Sequence, residues 1–186
     1  LFDVSFAPMT PSSFASLVLG WHDFFLAAAG ASAALLGLLF VGVSINLSAI
    51  AANERVDLRA RAGQAFANLV FVLLIGLIML IPGGDPRLLA LGLGVVAAVA
   101  LFRVATNVIA LLRARAHARD RYSTLRRIGW TAAANAVLVF TAWRLWDSNG
   151  SADVIGNLVI VVFVLLIGAA DIAWEMLTEV SGTASR

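Results

Sequence analysis

The chain has 186 residues, 61% of them hydrophobic and 13% charged, with a formal net charge of +2 and a mean hydropathy of +0.95. That is too little charge to cover the surface of a soluble domain, and the apolar residues fall in long unbroken runs, so the composition indicates a membrane protein. Every basic residue is an arginine and cysteine is absent, which excludes a retinal Schiff base, thiolate metal centres, iron–sulfur clusters and disulfides.

Residues 1–20 carry no basic leader, and the apolar run behind them is too long for a signal-peptide core. Thr10-Pro11 marks a helix start, with Thr10 as cap and Phe14, Leu17 and Val18 on one face. That pattern fits a short interfacial helix within the lead-in 1–21; an irregular lead-in is the alternative. The first span, about 24–46, is built on the run 24–45, which has 22 uncharged residues, 11 of them Gly, Ala or Ser. As a helix this run crosses a hydrocarbon core of ~30 Å. Ala29, Ala33 and Gly37 recur at every fourth position, as do Gly30 and Ala34, a spacing that lets helix backbones approach closely. Span one is therefore expected to be a packing surface for the other helices or for a second protomer.

Glu54, Arg55, Asp57, Arg59 and Arg61 follow in a first loop, and span two runs over 64–81. Pro82-Gly83-Gly84-Asp85-Pro86 is a strong turn signal and predicts a tight antiparallel hairpin with span three, 88–112. Segment 113–127 is the most polar part of the chain. Span four covers 128–146, a second short turn covers 147–151, and span five covers 154–177. The expected fold class is all-α: one membrane domain, an integral membrane helical bundle of five transmembrane helices.

Arginine placement sets the expected orientation. Arg55, Arg59 and Arg61 in the first loop and Arg113, Arg115, Arg119, Arg121, Arg126 and Arg127 in the third lie on one side, with only Arg87 and Arg144 opposite. Positive loops stay in the cytoplasm, so the N-terminus is expected outside and the C-terminus inside. Trp21, Trp143 and Trp146 then mark the outer interface, and Trp130 and Trp174 the inner one. The pI of 10.4 reflects this topology rather than nucleic-acid binding. The six arginines of the third loop are candidate ligands for anionic lipid headgroups, or serve topology alone.

Polar residues within the spans gather toward the cytoplasmic side: Ser44, Asn46, Gln64, Asn68, Arg103, Thr106, Asn107, Thr131, Asn135, Asp171 and Glu175. Arg103 lies ten residues from Arg113, ~15 Å along a helix, and an unpaired arginine at that depth is costly. Asp171 is its candidate counter-ion, with Asn68, Asn107 and Asn135 as hydrogen-bond partners, although Trp174 close by argues for a shallow Asp171. Such a network either fixes helix register or lines a water cavity or ion path. His22 and His117 fall on opposite sides, which excludes a bis-histidine haem, and no nucleophile motif accompanies His22-Asp23.

The run GASAALLGLLFVGVSINL over 30–47, the WHDFF before it, the PGGDP turn and the Trp174-Glu175 pair resemble a family of small bacterial multi-pass proteins common in high-GC actinobacteria. The resemblance implies a bacterial plasma-membrane protein and no catalytic residues; some members carry the name of modulators of a membrane-bound ATP-dependent protease. The expected function is a non-enzymatic accessory, regulatory or scaffolding subunit, without cofactor or metal. It would act in the lipid bilayer through helix–helix association, as a homo-oligomer or part of a membrane complex. The alternative is an oligomeric channel or small transporter with a polar vestibule around Arg103.

Overall fold

The structure, a computed structural model, describes residues 11–45, 56–83, 85–113, 118–148 and 152–184. These form six α-helices and no strand: α1 Pro11–Gly20, α2 His22–Ile45, α3 Val56–Met79, α4 Pro86–Arg113, α5 Ala118–Ser148 and α6 Ala152–Ala184. Four of them contain stretches long and apolar enough to cross a membrane, at His22–Ile45, Ala60–Met79, Pro86–Ile109 and Asp153–Glu175. The protein is thus an all-helical bundle of membrane type. The fifth long helix, α5, is not among those four, because Thr131, Asn135, Thr141 and Arg144 dilute its apolar middle.

Several helices run beyond the spans expected from hydropathy. α3 starts at Val56, so Arg59 and Arg61 belong to a helix and not to a loop. α5 begins ten residues before Ile128 and α6 continues past Leu177. Charge ends an apolar run, but it does not end a helix, since arginine and glutamate are good helix formers. The turn at 80–85 is read correctly from its residues. Leu80 N–H is shared between the carbonyls of Gly76 (3.1 Å) and Leu77 (3.3 Å), which tightens the last turn of α3. Gly83 takes φ +97°, a conformation that strains any residue with a Cβ. Asp85 then caps α4: its carboxylate accepts the N–H of Arg87 at 3.0 Å, with Pro86 in the first helical position.

α3, α4, α5 and α6 form a closed ring in which each helix neighbours the next, α6 returning to α3. α4 packs mainly on α5, so α3 and α4 are a hairpin in sequence but splay in space. α2 lies outside this ring against α3. α2 serves as a packing surface for α3 and leaves most of its own face open: 22% of the α2 span is buried, against 50% for α3. α2 faces α3 through Phe25, Ala28, Ala29 and Ser32, continuing as half-buried Leu36, Leu39 and Val43. The closest approach is at Gly76, where an added Cβ would stand 2.9 Å from Ala29 Cβ and 3.0 Å from the Phe25 carbonyl. Ser32 Oγ donates to the Leu69 carbonyl at 2.6 Å along the same seam.

Of the two expectations for the lead-in, a helix and an irregular segment, α1 is the helix. Phe14 and Val18 are buried against the bundle and Leu17 packs beside them, closing the end where α2 begins. Thr10, the expected cap, lies outside the described residues, as does Asn46. The ring core is aliphatic, with Val72, Ile75, Leu93, Leu138, Leu158 and Leu165 almost fully enclosed. The outer surface is equally apolar: Leu38, Phe40, Leu91, Val95, Phe102, Ile160, Phe163 and Ile167 are exposed, as suits a bundle surrounded by lipid. All five tryptophans are exposed too, Trp21, Trp143 and Trp146 toward the turn at 80–85, Trp130 and Trp174 toward the opposite, arginine-rich end.

Candidate functional site

Gln64, Asn68, Arg103, Asn107, Thr131, Asn135, Asp171 and Glu175 line two cavities at the arginine-rich end of the ring. Helical spacing explains how. Arg61, Gln64 and Asn68 share a face of α3, Thr131 and Asn135 a face of α5, and Asp171 and Glu175 a face of α6. Gln64 Nε2 donates to Thr131 Oγ1 at 3.0 Å, a strut joining α3 to α5 across the ring. On either side of it lies a cavity.

The first cavity lies between α3, α4 and α5 and leaves about 20 Å³ for the centres of water-sized molecules. Its polar lining is Gln64, Asn68, Arg103, Asn107, Thr131 and Asn135. Asn135 is fully buried, and neither its Oδ1 nor its Nδ2 has a hydrogen-bond partner; Asn68 is 3% exposed and its Oδ1 is likewise unpartnered. Leaving such atoms unsatisfied costs ~1–3 kcal/mol each, and the space beside them is polar-lined and of the size of a water molecule. Arg103 and Asn107 are exposed at the rim, where α4 beyond Ala100 turns most of its side chains away from the ring. Arg103 bends toward the helix ends and donates to the Gly63 carbonyl at 3.2 Å, which places its guanidinium two residues from Arg61 along α3.

The second cavity lies between α3, α5 and α6 and is larger, about 500 Å³. Gln64, Asn68 and Thr131 line it from the strut side, Asp171, Glu175 and Trp130 from the rim, and Leu165, Ile167 and Gly168 below. Glu175 pairs with Arg61 at 3.8 Å. Asp171 is exposed.

Arg103 and Asp171 do not form the expected ion pair. They line different cavities, and the Gln64–Thr131 strut stands between. Asn68 borders both cavities, whereas Asn107 and Asn135 border only the first. Of the small residues of α2, Ala29 packs inside the fold, while Gly30, Ala33 and Gly37 face outward. Arg115 lies outside the described residues; Arg113, Arg119, Arg121, Arg126 and Arg127 sit on the facing ends of α4 and α5. His22 and Asp23 touch at 3.3 Å, both exposed, where α2 begins. The Arg61–Glu175 and Arg144–Asp153 (3.6 Å) pairs were not anticipated. The shared α3 face of Arg61, Gln64 and Asn68 was the signal available for the first.

Comparison with known protein-family models, curated proteins and solved structures finds no match for this chain.

Proposed function

We propose that this is a non-enzymatic accessory, regulatory or scaffolding protein of the bacterial plasma membrane that acts by lateral association with a second copy of itself through α2. In this reading all five long helices cross the bilayer, α5 included, because it completes the ring between α4 and α6. The N-terminus is outside and the arginine-rich end is cytoplasmic, where Arg113, Arg115, Arg119, Arg121, Arg126 and Arg127 meet anionic headgroups.

The observation that carries the reading is the second, outward stripe of α2. Gly30, Ala33, Ala34 and Gly37 are exposed, and a Cβ built at Gly30, Gly37 or Gly42 would meet nothing within 4 Å. Against lipid such a face gains little dispersion energy; against an identical face it permits close backbone contact. The fold already uses that chemistry once, at Ala29 and Gly76. A two-fold axis beside α2 would repeat it between copies.

The natural chain has no cysteine, so single cysteines report proximity cleanly. Gly37→Cys or Ala34→Cys should form disulfide-linked dimers in native membranes under mild oxidation, and Leu91→Cys on the lipid face of α4 should not. Gly37→Leu should lower the oligomeric state in detergent. A monomer throughout, with no crosslinking above the Leu91→Cys background, would overturn the reading.

A further inference from the structure

We propose that the cavity between α3, α5 and α6 holds one acyl chain of a phospholipid from the leaflet at the arginine-rich end. The inference starts from where this cavity opens. Trp130 of α5 and Ile167 and Asp171 of α6 line it, yet all three are also exposed on the outer surface, the first two at 63% and 66%. Residues that are both wall and outer surface mark a mouth, so the cavity opens sideways between α5 and α6. Ile167 lies eight residues before Glu175, where the apolar stretch of α6 ends, and therefore ~12 Å inside that stretch. At such a depth the medium outside the mouth is hydrocarbon.

The lining grades along the same direction. Glu175, Asp171 and the Trp130 indole stand at the headgroup end, and Val164, Leu165 and Ile167 at the deep end. Polar groups with an interfacial tryptophan above and aliphatic side chains below reproduce the polarity profile of a lipid. α6 also carries a glycine where it passes the cavity. A Cβ built at Gly168 would stand 3.4 Å from Asn68 Nδ2, an ordinary contact, with no other atom within 4 Å. The missing side chain keeps the passage open.

Size decides what fills it. About 500 Å³ is far more than the water-sized voids that a close-packed interior leaves, and it falls among the volumes of sites that enclose organic ligands. Left empty, a space of that size forfeits dispersion contacts on every wall. Water restores little beside Val164 and Leu165, which offer it no hydrogen bond. A chain of the adjoining leaflet restores those contacts while its headgroup stays at the level of Trp130. The material that surrounds the mouth is phospholipid, and it is the occupant. The site does not involve α2, so its failure would leave the association proposed above untouched.

The test uses the full chain in nanodiscs doped with a phospholipid that carries a photoactivatable diazirine midway along one acyl chain. Proteolysis and mass spectrometry then map the labelled residues. Leu165 and Ile172, 1% and 3% exposed, line the cavity, whereas Ile160 and Phe163 face outward from the same helix. Label on Leu165 or Ile172 is expected, beside the label on Ile160 and Phe163 that any lipid-facing helix collects. Gly168→Leu should place a side chain in the cavity and abolish the inner label, with the outer label and the helical circular dichroism unchanged. Gly156→Leu, the same exchange at an exposed position of α6, should label as the natural chain does. Label confined to Ile160 and Phe163 in the natural chain would overturn the proposal and leave the cavity to water, whether or not Gly168→Leu folds. Inner label that persists in a folded Gly168→Leu would overturn it equally, because the chain would then reach Leu165 and Ile172 by another route.

Discussion

The two ends of the ring are built differently. Toward the turn at 80–85 the interior is filled by large, fully enclosed side chains: Phe14, Phe25, Ile75, Leu89, Leu145, Ile155 and Leu158. Aromatic contacts extend this solid packing, with the Phe24 ring 5.2 Å from Phe25 and 6.0 Å from Phe163. Toward the arginine-rich end, Leu69, Phe71, Leu165 and Ile172 apart, the buried positions around the cavities are small: Ala62, Ala65, Ala67, Ala100 and Ala134, with Asn68 and Asn135 among them. Small side chains leave space, and the polar residues occupy its walls. In lipid, packing and hydrogen bonds hold helices together, since burial from lipid gains little. The solid end therefore holds the bundle, and the hollow end is free to be polar.

Core truncation at the solid end should break the bundle most severely. Leu158→Ala or Leu145→Ala removes a fully enclosed side chain and should cost ~2–5 kcal/mol, read from denaturant unfolding in mixed micelles. Gly76→Val should cost ~1–3 kcal/mol by overpacking, because the groups it meets are Ala29 Cβ and the Phe25 backbone carbonyl, neither of which can swing aside. At the hollow end the sign should reverse. Asn135→Leu fills space and deletes two unpartnered polar atoms, so it should stabilise by ~1–3 kcal/mol. Loss of stability there as large as that of Leu158→Ala would show that the two ends do not differ in kind.

This contrast was only half legible in the sequence. Run length and composition are local, so long apolar helices, the Gly83–Pro86 turn and the gathering of Asn68, Arg103, Asn135 and Asp171 at one end could all be read from order alone. Which helix lies beside which is not local. Gln64 and Thr131 are 67 positions apart, and nothing in either segment says that their bond divides the polar end in two. Hence Arg103 and Asp171, matched by charge and depth, end up in separate cavities. The same limit applies to α2. Its small residues announce close packing, but they form two stripes, and the sequence does not say which one meets α3.

The strut itself should give a moderate effect. Gln64→Ala with Thr131→Val in a double-mutant cycle should show a coupling of ~0.5–1.5 kcal/mol, the net worth of one partly buried neutral hydrogen bond. A coupling near zero would mean that packing alone keeps the two cavities apart.

The smallest effect should come from the ion pairs at the rims, where the two ends ought to agree. Arg61–Glu175 closes the mouth of the second cavity at 3.8 Å with side chains 21% and 39% exposed, and Arg144–Asp153 ties α5 to α6 at 3.6 Å with 33% and 39%. Both pairs are open to the surroundings and long for an ion pair. Glu175→Gln and Asp153→Asn should each cost under ~1 kcal/mol, and less as salt is raised, because screening falls on exposed pairs first. Agreement between the two would mean that the ends differ in packing and not in how their charges are held. A loss of several kcal/mol for Glu175→Gln alone, insensitive to salt, would mean that Arg61 is shut away from water. In that case the second cavity is dry, and the arginine-rich end is sealed by charge as the turn end is sealed by Phe14 and Phe25.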